Sequence, residues 1–152
     1  MRTSHTLSSA DIWSLGLGCG LLPWAPGTWG SLLGLWLYVV VSMFPLSLAV
    51  LLQCVLVVFS FYSCQVTFEW LRCDHKAIVV DEVIGMQLAL LGLPLRLDLL
   101  LYAFVGFRLL DILKPWPVCV FDQASWGWFG VMADDCCAGL LVCICLQCAL
   151  LL

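Results

Sequence analysis

Charge is what this chain has least of: six basic and ten acidic residues in 152, or 11%, against about 25% in a water-soluble domain. A soluble globular domain is therefore not expected. Disorder is excluded from the other side, because chains that stay unfolded are polar and highly charged, whereas this one is 64% hydrophobic with a mean hydropathy of +1.10. No basic tract occurs, so nucleic acid has no electrostatic footprint to meet. A secretory signal needs a basic start, an unbroken apolar stretch and a small-residue cleavage site. Here the apolar stretch after Asp11 is broken by Gly16, Gly18, Gly20 and Pro23, and export by that route is not expected. Internal repeats and low-complexity linkers are also missing, so the length fits one compact domain over residues 1–152.

Cysteine, by contrast, is plentiful, with ten in the chain. A disulfide framework belongs to small secreted domains with cysteines in polar loops, but Cys54, Cys64, Cys143, Cys145 and Cys148 sit in apolar runs. There a free thiol behaves as a small hydrophobe. Cys145 and Cys148 form a C-x-x-C, and Cys73 lies two before His75. Neither has the second ligand pair that zinc spacing requires, so these thiols read as helix packing.

A helix crossing the bilayer core needs about 20 apolar residues, within a range of about 17–25. Five windows approach this: 28–44, stopped by Pro45; 46–64; 77–93, with Asp81 and Glu82 in its opening turns; 97–113, with Arg108 and Asp111 near its end; and 131–152, opened by Asp134 and Asp135. Residues 65–76 read as a polar connection. Five such runs leave too few polar positions to clothe a soluble bundle. The expected fold class is all-α, an integral membrane bundle of about five hydrophobic helices. Threading the spans back and forth puts the N-terminal segment, the 65–76 and 114–130 loops and the charged ends of spans three to five on one side. Arg2, Arg72, Lys76 and Lys114 fall there and Arg96 opposite, so the charged side is expected to be cytoplasmic.

Ionisable residues inside a span are costly and by default mark function. Asp81, Glu82, Arg108, Asp111, Asp134 and Asp135 all fall within about two turns of the same interface. A single such acid could equally be a structural ion-pair partner. The acids outnumber Arg108 and Lys114, however, and surplus negative charge calls for a cation. Clustered carboxylates suit a hard divalent ion such as Mg2+. Adjacent helix positions diverge by about 100°, so one acid of each pair is expected to face the metal and the other to brace a neighbouring helix. Arg108, Asp111 and Lys114, spaced by three, share a face and offer two cations to an anion beside a metal-binding acid, as phosphoryl chemistry requires.

The run LGLGCGLLPWAPGTWG at residues 15–30 lacks the strand and spacing of a Rossmann or P-loop motif. It reads either as a flexible lead-in loop or as one whose amides near Gly27 and Thr28 face an anion at a helix N-terminus, with Thr28 a plausible N-cap. His75 reads as a solvated loop residue, and Trp24, Trp29, Trp116, Trp126 and Trp128 as interfacial anchors.

Together, LGLGCGLLPWAPGTWGS from residue 15, DHKAIVVDEVIGM at 74–86, FRLLDILKPWPV at 107–118 and GVMADDCCAG at 130–139 resemble, in order, the bacterial phosphatidylglycerophosphatase A family. The similarity spans residues 15–139. It implies a small helical protein of the bacterial cytoplasmic (inner) membrane, its active site facing the cytoplasm. Its implied reaction is the Mg2+-dependent hydrolysis of phosphatidylglycerophosphate to phosphatidylglycerol and phosphate, in phospholipid biosynthesis. By position, the resemblance implies metal ligands among Asp81, Glu82, Asp111, Asp134 and Asp135, and catalytic roles for Asp81, Asp111, Asp135 and Lys114. Arg108, Lys114 and Thr28 would contact the phosphate. Lys76, Val80 and Trp128 depart from the family pattern without removing an acid or base from this set. No Cys is followed by Arg at the spacing of cysteinyl-phosphate enzymes, and no D-x-D-x-T/V run marks a soluble aspartyl phosphatase. The alternative from another class is a membrane cation transporter or channel lined by the same acids, which calls for acids at mid-span rather than at one interface. Oligomeric state has no sequence signal.

Overall fold

The computed structural model describes residues 7–71, 77–121 and 126–151. Among the described residues there is no strand. The order is α1 (Ser9–Ser14), a 3-10 segment (Gly16–Leu21), α2 (Pro26–Val41), α3 (Leu46–Trp70), α4 (Val80–Ala89), α5 (Leu97–Leu113), a 3-10 turn (Val118–Val120) and α6 (Gly127–Leu150). Arg2, Arg72, Cys73, His75 and Lys76 lie outside the described residues.

Two helices among the described residues are long and apolar enough to cross a membrane, α3 with 25 residues and α6 with 24. At 1.5 Å per residue α3 runs about 37 Å, more than the ~30 Å hydrocarbon core. It takes in residues 65–70, expected as a polar connection, because no Gly or Pro interrupts the helix before its cap at Leu71. With 16 and 17 residues, α2 and α5 stand at the lower edge of spanning length.

The expected third span is corrected more sharply. α4 has ten residues, about 15 Å of helix or half the hydrocarbon core. It cannot begin before Val80, because Val79 has a non-helical backbone (φ −132°, ψ 5°), and the chain turns beyond it at Gly92 (φ +72°) and Pro94. All of α4 except Glu82 and Leu88 is buried, so it is a core helix that the others enclose. The outer faces contrast with it: Leu32 and Trp36 on α2, Val50, Leu51, Val55 and Val58 on α3, and Leu101, Tyr102, Val105 and Leu109 on α5 are exposed. Apolar surface on that scale suits a lipid surround rather than water.

Backbone contact holds α4 in place. α2 lays Gly27, Gly30 and Gly34 along one side, and α6 lays Gly139 along another; a Cβ on Gly34 would stand 2.5 Å from the Val83 carbonyl oxygen, and one on Gly139 2.1 Å from that of Gly85. Small residues let helices approach this closely. Around the crossings, Met86, Leu90, Ala103, Phe107, Ala138 and Val142 fill one core cluster, and Cys64, Ile78, Val80, Ile84 and Met132 a second.

α1 is tied to the end of α3 by a buried carboxylate. Asp11 closes a capping box with Ser8 and accepts hydrogen bonds from Thr67 Oγ1 at 3.0 Å and Trp70 Nε1 at 2.6 Å. Burial by itself would raise its pKa, but the hydrogen bonds from Trp70, Ser8 and Thr67 outweigh burial and hold it below the usual 3.8. A carboxyl with a depressed folded pKa contributes stability above its unfolded value and loses it as pH falls through the folded one. Asp11→Asn is therefore expected to destabilise by ~1–3 kcal/mol at neutral pH, read as an unfolding midpoint in detergent. The gap to the native chain should narrow as pH is taken below 3.8.

Candidate active site

Where α2, α4 and α6 begin and α3 and α5 end, the helices leave a cavity of about 800 Å3. Its wall takes Ala25, Pro26 and Gly27 from the start of α2, Phe68 from α3, Asp81 and Glu82 from α4, Arg108 and Asp111 from α5 with Lys114 at its cap, and Asp134 and Asp135 from α6. Each position follows from the crossings above: the Gly85–Gly139 contact lies one turn beyond both Asp81 and Asp135, so it brings the two acids together.

Asp81, Glu82 and Asp135 each offer a carboxylate oxygen within 4.8 Å of the others. On α4, therefore, both members of an adjacent pair join one cluster, where divergence of neighbours predicts only one. Gly27 is the reason. A Cβ there would stand 2.4 Å from Glu82 Oε1, so the bare backbone of α2 is the room into which Glu82 leans. Asp81 Oδ1 and Glu82 Oε2 are buried without a hydrogen-bond partner among the described residues. A buried carboxylate keeps its charge only when it is paired or metal-bound, and three oxygen donors so close fit a hard divalent cation.

The other two acids of the set hold side-chain cations. Arg108 Nη1 lies 2.5 Å from Asp111 Oδ2, and Lys114 Nζ 2.6 Å from Asp134 Oδ2. Lys114 caps α5 in a left-handed backbone conformation (φ 43°, ψ 55°), which a residue with a Cβ adopts only when its surroundings hold it there. This reversal carries Nζ across to α6. Asp134 in turn accepts the Asp135 backbone N–H at 3.0 Å through Oδ1, so on α6 one acid braces and its neighbour faces the cluster.

Thr28 does not sit where its sequence context suggests. The N-cap of α2 is Ala25, with Pro26 at the first helical position, and the Thr28 N–H donates to the Ala25 carbonyl at 2.9 Å. Thr28 is not part of the cavity wall; Gly27 is. Sequence reasoning missed Ser31, buried one turn further on, whose hydroxyl meets both Gly27 and Arg108. The signal was its spacing of four from Gly27 in the PGTWGS run. Trp24, Trp29, Trp116 and Trp126 are exposed, whereas Trp128 packs on the second core cluster.

Comparison with known proteins finds a match to the family model described as Phosphatidylglycerophosphatase A over residues 12–150. The chain is 36% identical to phosphatidylglycerophosphatase A of Haemophilus influenzae over 138 residues, covering 89% of this chain and 85% of that protein. It is also 36% identical to the protein of that name from Escherichia coli over 140 residues, covering 89% and 81%. No solved structure matches the chain.

Proposed function

The chain belongs to the phosphatidylglycerophosphatase A family and is a phosphatase, and from that footing we propose that it hydrolyses phosphatidylglycerophosphate to phosphatidylglycerol and phosphate, with Mg2+, at the cytoplasmic face of a bacterial inner membrane. The observation that carries this reading is the meeting, in one cavity, of a three-carboxylate cluster with two side-chain cations. Hydrolysis of a phosphate monoester is among the slowest uncatalysed reactions, and the task is chiefly to offset charge and align water with phosphorus.

Asp81, Glu82 and Asp135 would hold Mg2+, which supplies charge to the phosphate and lowers the pKa of bound water. Asp111 and Asp134 act instead through the cations they orient. Arg108 binds phosphate oxygens with a planar array of donors, and Lys114 adds a compact charge beside them. An attacking water would give its proton to a carboxylate oxygen of Asp81 or Asp135 that is not engaged by the metal. α2, α3, α5 and α6 form the membrane-embedded shell around the half-length α4. Their apolar faces would leave the acyl chains in the bilayer while the terminal phosphate enters the cavity.

The test is phosphate release by purified protein in mixed micelles of phosphatidylglycerophosphate, beside phosphatidic acid, with and without chelator. Release from the first lipid should stop in chelator and return with Mg2+. Absence of release in Mg2+, or undiminished release in chelator, overturns the proposal. Mg2+ flux into proteoliposomes with no phosphate release would point to transport instead.

A further inference from the structure

Building on the phosphatase reading, we infer that Ser31 is a positioning residue that sets the phosphate-binding orientation of Arg108. Ser31 is fully buried in α2 and is not part of the cavity wall. Its Oγ donates to the Gly27 carbonyl at 2.8 Å, which commits its one proton. Only acceptor capacity is left, and Arg108 Nη1 donates into it at 3.4 Å. The same Nη1 donates to Asp111 Oδ2 at 2.5 Å. Nη1 is thus held from two helices at once.

The rest of the guanidinium then has a defined use. Nε is sealed from solvent without a partner among the described residues. Nη2 donates to no described residue and is not sealed, so it is the donor left to meet an anion. Gly27 completes the seat, since a Cβ there would stand 3.1 Å from both Nη1 and Nη2. Asp111 alone cannot fix the guanidinium plane. It lies three residues along the same helix and touches a single nitrogen, which leaves rotation about that contact. The Ser31 hydroxyl, on a different helix, is the second fixed point. A donor group locked before the ligand arrives loses less freedom on binding.

Ser31→Ala removes one oxygen and adds nothing. It should raise KM for the lipid phosphate by about tenfold, the effect of one hydrogen bond to a charged group, with kcat within about twofold and the unfolding midpoint lowered by no more than the loss of these two hydrogen bonds accounts for. The dissociation constant of orthophosphate, measured by calorimetry on the full chain in detergent, should rise by the same factor. In an Arg108→Ala background the serine substitution should have no further effect on either quantity. The inference is overturned if Ser31→Ala leaves orthophosphate affinity and KM unchanged, or if its effect persists without Arg108. Arg108-dependent orthophosphate binding that Ser31→Ala weakens, in a protein that hydrolyses no lipid phosphate, would keep the positioning role and remove the hydrolysis reading.

Discussion

Asp81→Asn and Asp135→Asn are each expected to lower phosphate release at least about a hundredfold, the scale on which removal of a metal-site group acts. The substitution is nearly isosteric and leaves one side-chain oxygen, so the change is chiefly one of charge. Three ionised carboxylates with oxygens within 4.8 Å repel one another, a cost that either a cation or protonation relieves. The same variants should therefore unfold at a higher temperature than the native chain in the absence of Mg2+, and the stabilisation that Mg2+ confers on the native chain should shrink in both. Gain in stability with loss of activity is the signature of a charge cluster kept for function. Asp111→Asn separates the roles. Asp111 is paired with Arg108, so its loss should appear chiefly as a higher KM. Normal activity in both Asp81→Asn and Asp135→Asn would remove the acid cluster from the reaction.

The helical class and the approximate course of α2, α3, α5 and α6 could be read from apolar runs and from Pro45 and Pro115, because these are local signals. α4 could not be read correctly in the same way. A buried helix and a membrane span have the same apolar composition, and what makes α4 a core helix is the set of glycines on α2 and α6 that let their backbones close around it. The extension of α3 through residues 65–70 escaped for a similar reason, since Thr67 and Trp70 are partnered by Asp11 from a distant part of the chain. Acids were legible at the site because charge is rare here; their division of labour was not. Which of Asp134 and Asp135 braces depends on the left-handed turn at Lys114, and the inward turn of both Asp81 and Glu82 depends on the missing side chain at Gly27. Each is a contact between segments that no local pattern encodes.

At the crossing of α4 and α6 a very small substitution should do large damage to the fold. Gly139→Ala adds one methyl group. In a helix interior that exchange ordinarily stabilises by ~1 kcal/mol. Here the new carbon would stand 2.1 Å from the Gly85 carbonyl oxygen and 3.2 Å from the Gly85 Cα, and neither atom can yield as a side-chain tip would. The helices must separate, giving up the close packing on both sides of the crossing, and a destabilisation beyond the ~1–3 kcal/mol of ordinary overpacking is expected. Asp135 lies one turn before Gly139 on the same face of α6, so separation also draws it away from Asp81, and the molecules that remain folded should lose Mg2+-dependent phosphate release. Gly106→Ala on α5 is the matched control. Its Cβ would meet only the Val142 methyls, at 3.4 Å, an ordinary contact, so that variant should be as stable as the native chain or more so. Unfolding midpoints in detergent for the pair decide the matter: if Gly139→Ala is as stable as Gly106→Ala, backbone contact between α4 and α6 is not what brings the acids together.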